Sequence, residues 1–163
     1  MKAIFLNISA WIMLPFMDAI AKYLSSELPF FQITWARYFF TVFLVLPFMF
    51  FFYKYQLKWT ENPKLQFYRG LTLFFANICF FYSISIISMA KALTLAFVAP
   101  LITTILSSFF LGEKVGIRRW SAVIVGFIGI LIVIRPGFIE FNLASFAAVG
   151  TGCFYGVYLI ITR

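Results

Sequence analysis

Long apolar stretches alternate with short polar segments along the whole chain. A transmembrane helix needs about 20 predominantly apolar residues, and most of these stretches approach that length. The pattern therefore predicts an all-α integral membrane protein, built as a bundle of about six transmembrane helices. The predicted spans cover approximately residues 3–23, 30–53, 70–88, 92–111, 120–134 and 143–162.

The fourth predicted span contains Pro100 near its middle. Proline has no backbone N–H, so it cannot bond the carbonyl of Ala96, and a kink or opening is expected there. In a membrane such a defect persists only where protein or a cavity compensates the freed carbonyl. Gly112 is predicted to end this span, and Gly126 and Gly129 in the fifth span are spaced for close helix contact.

Composition supports a membrane protein. Apolar residues make up 64% of the chain and charged residues only 11%, too little polar surface for a soluble domain of this length. The net charge of +8 does not indicate nucleic-acid binding, because the basic residues lie between apolar spans and not on one patch. The two cysteines, Cys79 and Cys153, lie inside apolar stretches and indicate no redox compartment.

The distribution of basic residues predicts the orientation. With a cytoplasmic amino terminus, nine of the 13 basic residues fall on the cytoplasmic side, three on the outside and one within a span. Positive charge is retained on the cytoplasmic side of membrane proteins, so both termini are expected to be cytoplasmic. The nine inside residues are Lys2, Lys54, Lys58, Lys64, Arg69, Lys114, Arg118, Arg119 and Arg163; Lys22, Lys91 and Arg135 are outside, and Arg37 is within a span.

Catalytic motifs are missing from the sequence. It contains no histidine, no paired cysteines, no nucleophile elbow and no glycine-rich phosphate loop. Asp18 is the one acid placed within a span, so no carboxylate pair for acid–base chemistry is expected at membrane depth. We therefore expect neither an enzyme nor a bound cofactor or metal.

Asp18 and Arg37 are the two charged residues predicted to lie well inside spans. Charged side chains at this depth are costly and normally face protein or water. The first two spans are antiparallel, so both residues come to similar depth near the outer face. Two interpretations follow. Asp18 pairs with Lys22 four residues later while Arg37 reaches outward to the interface, or both line a cavity that binds substrate.

Several short motifs resemble the EamA family of the drug/metabolite transporter superfamily. The likeness extends over residues 3–136, which correspond to one five-helix EamA repeat; residues 143–163 would then be the first helix of an incomplete second repeat. Within the family the chain resembles members described as S-adenosylmethionine uptake carriers. The motifs are Met17 to Tyr23, Trp35-Ala36-Arg37-Tyr38, the mid-span Pro100, Leu111-Gly112-Glu113-Lys114, Trp120 and Arg135-Pro136.

The resemblance implies a transporter of a small organic metabolite in the bacterial inner membrane, working by alternating access around a cavity formed by the first four spans of each repeat. The partners expected are the lipid bilayer, the metabolite, and either a second copy or a second repeat, with Gly126, Gly129, Gly152 and Gly156 as contact points. The alternative is a non-transporting structural fragment or assembly subunit. Carried over from the family, the substrate-binding residues would be Asp18, Trp35, Arg37, Tyr38, Asn77, Tyr82 and Pro100.

Overall fold

The described part of the chain is helical throughout and contains no strand. In this computed structural model, residues 2–52, 62–110, 112, 116–134 and 142–162 are described. Seven helices cover almost all of them: α1 (Lys2–Leu24), α2 (Phe30–Phe52), α3 (Pro63–Ile86), α4 (Met89–Ala96), α5 (Ala99–Phe110), α6 (Ile117–Ile134) and α7 (Leu143–Ile161).

These helices confirm the predicted all-α membrane fold. Each predicted span coincides with a helix, the fourth being divided between α4 and α5. Within the described residues, four helical segments are long and apolar enough to cross a membrane: Phe30–Phe51, Pro63–Ile86, Met89–Phe109 and Leu143–Ile161.

The division of the fourth span falls where Pro100 predicts it. α4 ends at Ala96, and α5 begins at Ala99 with Pro100 as its second residue. Gly112 follows α5 with a φ of +63°, the left-handed conformation that commonly terminates helices and that glycine adopts without steric cost. Both sequence predictions about this span are confirmed.

Helix α3 is the centre of the bundle, and its main partner is α7. The side chains of Phe75 and Phe154 stack with ring centroids 5.6 Å apart, and Arg69 Nη2 donates to Tyr158 Oη at 3.4 Å. The partner numbers fall along α7 as they rise along α3, so the two helices are antiparallel. α2 also packs along α3, α7 packs on α4 and α5, and α6 contacts α4 and α5 from the other side.

Small residues form much of the buried interior. The residues at most 6% exposed include Ala76, Ala92, Ala99, Ala144 and Ala148. Small side chains allow helix backbones to approach closely, which drives helix association in lipid. The outer surface, in contrast, carries large apolar side chains. Phe51 and Phe109, for example, are more than 80% exposed. Such a surface suits contact with acyl chains.

Candidate functional site

Arg37 on α2 is directed into the protein and not outward to the interface. Its Nη1 donates a 2.8 Å hydrogen bond to Oδ1 of Asn77 on α3. The Asn77 amide nitrogen donates to the carbonyl of Leu73, also at 2.8 Å. Since a guanidinium can only donate, the amide oxygen must face it, and both hydrogen bonds together fix the orientation of Asn77.

A second contact holds the same guanidinium. Its central carbon lies 5.4 Å from the ring centroid of Phe81, which is only 2% exposed. Asn77 and Phe81 are four residues apart on α3 and so lie on one face of that helix. An arginine over an aromatic face is stabilised by the ring's quadrupole, more strongly when water is excluded. Arg37 is thus positioned by one amide and one ring.

Asp18 lies near this cluster without touching it. It is half-buried on α1, and Arg37 is the cation that acts on it electrostatically. No ion pair within 4.0 Å joins Asp18 to Arg37 or Lys22 in the part of the chain that the structure describes. The carboxylate and the guanidinium are therefore near each other without forming a direct ion pair.

Lys22 has a different role from the one considered in the sequence. Its ammonium donates to the carbonyls of Ile84 and Ile87 at the carboxyl end of α3. The last carbonyls of a helix lack partners within the helix and carry partial negative charge. Lys22 caps α3 and joins the ends of α1 and α3, instead of pairing with Asp18.

Tyr38 follows Arg37 on α2 and also faces α3. Its ring centroid lies 5.8 Å from that of Phe74. Its hydroxyl is buried near the Asn77 side chain, yet no described residue forms a hydrogen bond with it in acceptable geometry. The hydroxyl is thus a buried polar group without a hydrogen-bond partner among the described residues.

The other predicted site residues lie away from the cluster formed by Arg37, Tyr38 and Asn77. Trp35 is 64% exposed and stacks on Phe39, with centroids 5.0 Å apart, on the outer side of α2. Tyr82 packs edge-on against Phe30 at 5.2 Å, near the start of α2. Pro100 lies on α5. Among the described residues, no hydrogen bond or ring contact joins these three to the cluster.

Pro100 instead borders a separate cavity of about 700 Å³ between α4–α5 and α6. The described lining contains no residue of α1, α2 or α3, so this cavity is distinct from the Arg37 cluster. Its walls are mainly apolar. They include Thr94, Pro100, Ser107, Arg119, Gly126 and Gly129.

The glycines of α7 pack against the break between α4 and α5. A Cβ atom built on Gly152 would lie 2.7 Å from the carbonyl oxygen of Ala96, the same carbonyl that Pro100 cannot bond. A Cβ on Gly156 would lie 2.9 Å from Ile102. The expectation that these two glycines serve association with a partner is thus corrected: they are close-contact points inside the chain. A Cβ on Gly126 or Gly129 would meet nothing within 4 Å.

Sequence reasoning missed Phe81 and the capping role of Lys22. Phe81 had a signal, because its spacing of four from Asn77 places it beside any group that Asn77 binds. Lys22 also had one: the first and third spans run in the same direction, so a cation ending the first can reach the carbonyls ending the third. The close packing of Gly152 against the Ala96 carbonyl could not be predicted from residue spacing in this way. It depends on which helices become neighbours in the fold.

The features above define a multi-pass, all-helical membrane protein with a polar cluster inside its second and third spans. Comparison with known proteins identifies the family. Residues 1–135 match the EamA-like transporter family, and the chain belongs to that family.

The curated relatives to which this chain is similar are named as transporters. The S-adenosylmethionine uptake transporter of Rickettsia bellii is 38% identical over 125 residues, covering 77% of this chain and 43% of the relative. The protein of the same name from Rickettsia prowazekii is 34% identical over 143 residues, 85% of this chain and 48% of the relative. The riboflavin transporter of Vibrio cholerae is 40% identical over 73 residues, 45% of this chain and 24% of the relative.

The chain spans about half the length of the curated relatives that it matches most extensively. No solved structure matches it significantly.

Proposed function

We propose that this chain forms the substrate-binding part of a carrier that moves a small carboxylate-bearing metabolite across the bacterial inner membrane by alternating access. Residues 3–136 would be one EamA repeat and residues 143–163 the first helix of a second, with both termini cytoplasmic. The observation that carries the proposal is the fixed Arg37 guanidinium, which no described carboxylate contacts directly.

The energetics of Arg37 favour a functional role. An arginine at the centre of a transmembrane helix costs about 2.5–3.5 kcal/mol on insertion scales, and this is an upper bound for Arg37, about two turns from the start of α2. One neutral hydrogen bond and one ring contact compensate this only in part, and a residue needed for packing alone would more simply be apolar. A guanidinium offers five N–H donors in a planar fork that matches a carboxylate, and Asn77 accepts one donor.

The arrangement of charges suggests the substrate class. Asp18 and Arg37 carry opposite charges and form no direct ion pair, and we propose that a molecule with a carboxylate and a cationic group binds between them. The carboxylate would bind Arg37 and the cationic group would face Asp18, while the Tyr38 hydroxyl supplies a further hydrogen bond. S-adenosylmethionine, named for the rickettsial relatives, carries both groups, and we propose it as the first substrate to test.

The test is uptake of labelled S-adenosylmethionine by cells expressing the chain, together with equilibrium binding to the purified chain in detergent. Arg37→Gln should be made and inserted normally but lose most binding and uptake. Trp35→Phe is the matched control, because it alters a neighbouring residue on the exposed side of α2. Unchanged binding in Arg37→Gln, or failure of the unaltered chain to bind any carboxylate-bearing metabolite, would disprove the proposal.

A further inference from the structure

The cavity between α4–α5 and α6 is not explained by the Arg37 cluster. Its volume of about 700 Å³ lies within the range of roughly 300–1,000 Å³ typical of ligand sites. Its walls come from α4, α5 and α6, with Phe97 contributed by the break between α4 and α5 and Leu159 by α7. We infer that this cavity binds an anionic phospholipid, with one acyl chain in the apolar slot and the phosphate at the arginine end.

The wall that α6 contributes to the cavity is shaped like an open slot. Gly126 and Gly129 both border the cavity, and a Cβ on either would meet nothing within 4 Å. Small residues on a membrane helix usually bring a neighbouring helix into contact. Here they leave a slot, and α5 does not fill it. A slot of this kind within a bilayer is filled by an acyl chain, because leaving it empty would forfeit the dispersion contacts of every group that lines it.

The length of the cavity along α6 matches the thickness of one leaflet of the bilayer. The lining residues on α6 run from Arg119 to Gly129, which at 1.5 Å per residue is about 15 Å along the helix. The hydrocarbon core of a bilayer is about 30 Å thick, so the slot has the depth of one leaflet. An acyl chain anchored at the arginine end would reach Gly129 near the middle of the membrane.

The basic residues at one end of the cavity suit an anionic headgroup. Arg119 lines one end of the cavity, and Arg118 is exposed beside it at the start of α6. Counting by sequence from position 113 to position 119, three basic residues stand against the single acid Glu113. Trp120, of the type that accumulates at headgroup level, follows directly. Basic pockets between transmembrane helices bind anionic headgroups, so charge favours a lipid such as phosphatidylglycerol over a zwitterionic one.

Native mass spectrometry of the purified chain tests this inference with two probes, phosphatidylglycerol and phosphatidylcholine of identical acyl chains. The unaltered chain should retain phosphatidylglycerol preferentially. In the double variant Arg118→Gln/Arg119→Gln, the ratio of phosphatidylglycerol to phosphatidylcholine retained should fall about five-fold for each arginine replaced. Lys64→Gln is the control for charge, because Lys64 is an exposed basic residue at the start of α3, outside the cavity.

Filling the slot is a second, independent arm. Gly126→Leu should displace both lipids, because its side chain would occupy the space of the acyl chain. Val125→Phe is the control for bulk, since Val125 is 68% exposed and does not line the cavity. If Gly126→Leu is not recovered folded, Gly129→Leu serves the same purpose.

Equal retention of the two lipids by the unaltered chain would overturn the inference, and so would an unchanged preference in the double arginine variant. A change from dimer to monomer in Gly126→Leu would also overturn it, because the slot would then be the seat of a second copy. These outcomes do not depend on Arg37 or on transport.

Discussion

The hydrogen bond between Arg37 Nη1 and Asn77 Oδ1, 2.8 Å long, joins α2 to α3 through the one basic residue predicted to lie within a span. It makes Asn77 a positioning residue, because the amide decides where the guanidinium fork points. Replacing Asn77 by Leu or by Asp thus tests separately how the position and the charge of the Arg37 guanidinium affect binding.

Asn77→Leu removes the acceptor and leaves the guanidinium with an unpaired donor. We expect it to lower the free energy of unfolding by about 1–3 kcal/mol and to weaken binding of a carboxylate-bearing substrate. Asn77→Asp retains an acceptor and should preserve stability, but its charge would occupy Arg37 and weaken binding more than Asn77→Leu does. Thermal unfolding in detergent and equilibrium binding separate the two effects. Equal binding by both variants would contradict the positioning role.

Asp18 and Arg37 should act on substrate as one unit. Arg37→Gln and Asp18→Asn are each expected to reduce uptake strongly, and the double variant should lose less than the sum of the two effects. Coupling of this kind is expected for residues that share a ligand and is absent between distant, independent sites. The measurement is uptake per folded molecule. Strict additivity of the two losses would show that Asp18 and Arg37 do not serve the same ligand.

Lys22 stabilises the junction of α1 and α3. Lys22→Met keeps the length and apolar character of the stem but removes the donors to Ile84 and Ile87. We expect a loss of about 1–2 kcal/mol, the upper range for a cation at a partly buried helix terminus. Lys91→Met, at an exposed position near the start of α4, is the matched control and should leave the unfolding midpoint unchanged. A similar midpoint for both variants would exclude a capping contribution from Lys22.

Gly152 should tolerate no side chain. Gly152→Ala places a Cβ 2.7 Å from a backbone carbonyl oxygen, and a backbone atom cannot give way as a flexible side chain can. Overpacking of this kind costs about 1–3 kcal/mol. Gly150→Ala on the same helix is the control, since its Cβ would make an ordinary 3.7 Å contact with the Cys79 sulfur. Equal unfolding midpoints for the two variants would refute the close approach of α7 to the helix break.

The predicted orientation can be tested with reporter fusions. Fusions at Glu61 and Glu113 should report the cytoplasm, and fusions at Glu27 and Glu140 should report the outside. The physical reason is the nine-to-three distribution of basic residues between the two sides. Reversed signals at any two of these positions would contradict the assignment of spans.

The positions of the helices could be predicted from the sequence because lipid imposes a simple rule on composition. α2 and α7 begin at Phe30 and Leu143, as the apolar pattern predicted. α3 begins at Pro63, seven residues before the predicted start at Gly70. Lys64 and Arg69 lower the hydropathy of its first two turns, so the apolar run underestimates a helix that extends beyond the hydrocarbon.

The site could be predicted only in part. Arg37, Tyr38 and Asn77 were predicted as substrate-binding residues from the family resemblance, and the structure brings them together. Trp35 was selected for its nearness in sequence, yet it lies on the exposed side of α2. α2 is apolar around its whole circumference, so hydropathy does not determine which side faces α3. The rotation of such a helix is set by contacts with its neighbours.

The contact between Gly152 and Ala96 also bears on the order in which the protein is made. A ribosome completes α4 and α5 well before α7, so the carbonyl left unbonded by Pro100 enters the membrane without its eventual cover. An unsatisfied carbonyl in hydrocarbon costs several kcal/mol, so the break between α4 and α5 is unfavourable as long as it faces lipid. Insertion of α7 then places Gly152 against this carbonyl. The helix that packs against the break between α4 and α5 is therefore absent from the membrane in the interval between the synthesis of α5 and that of α7.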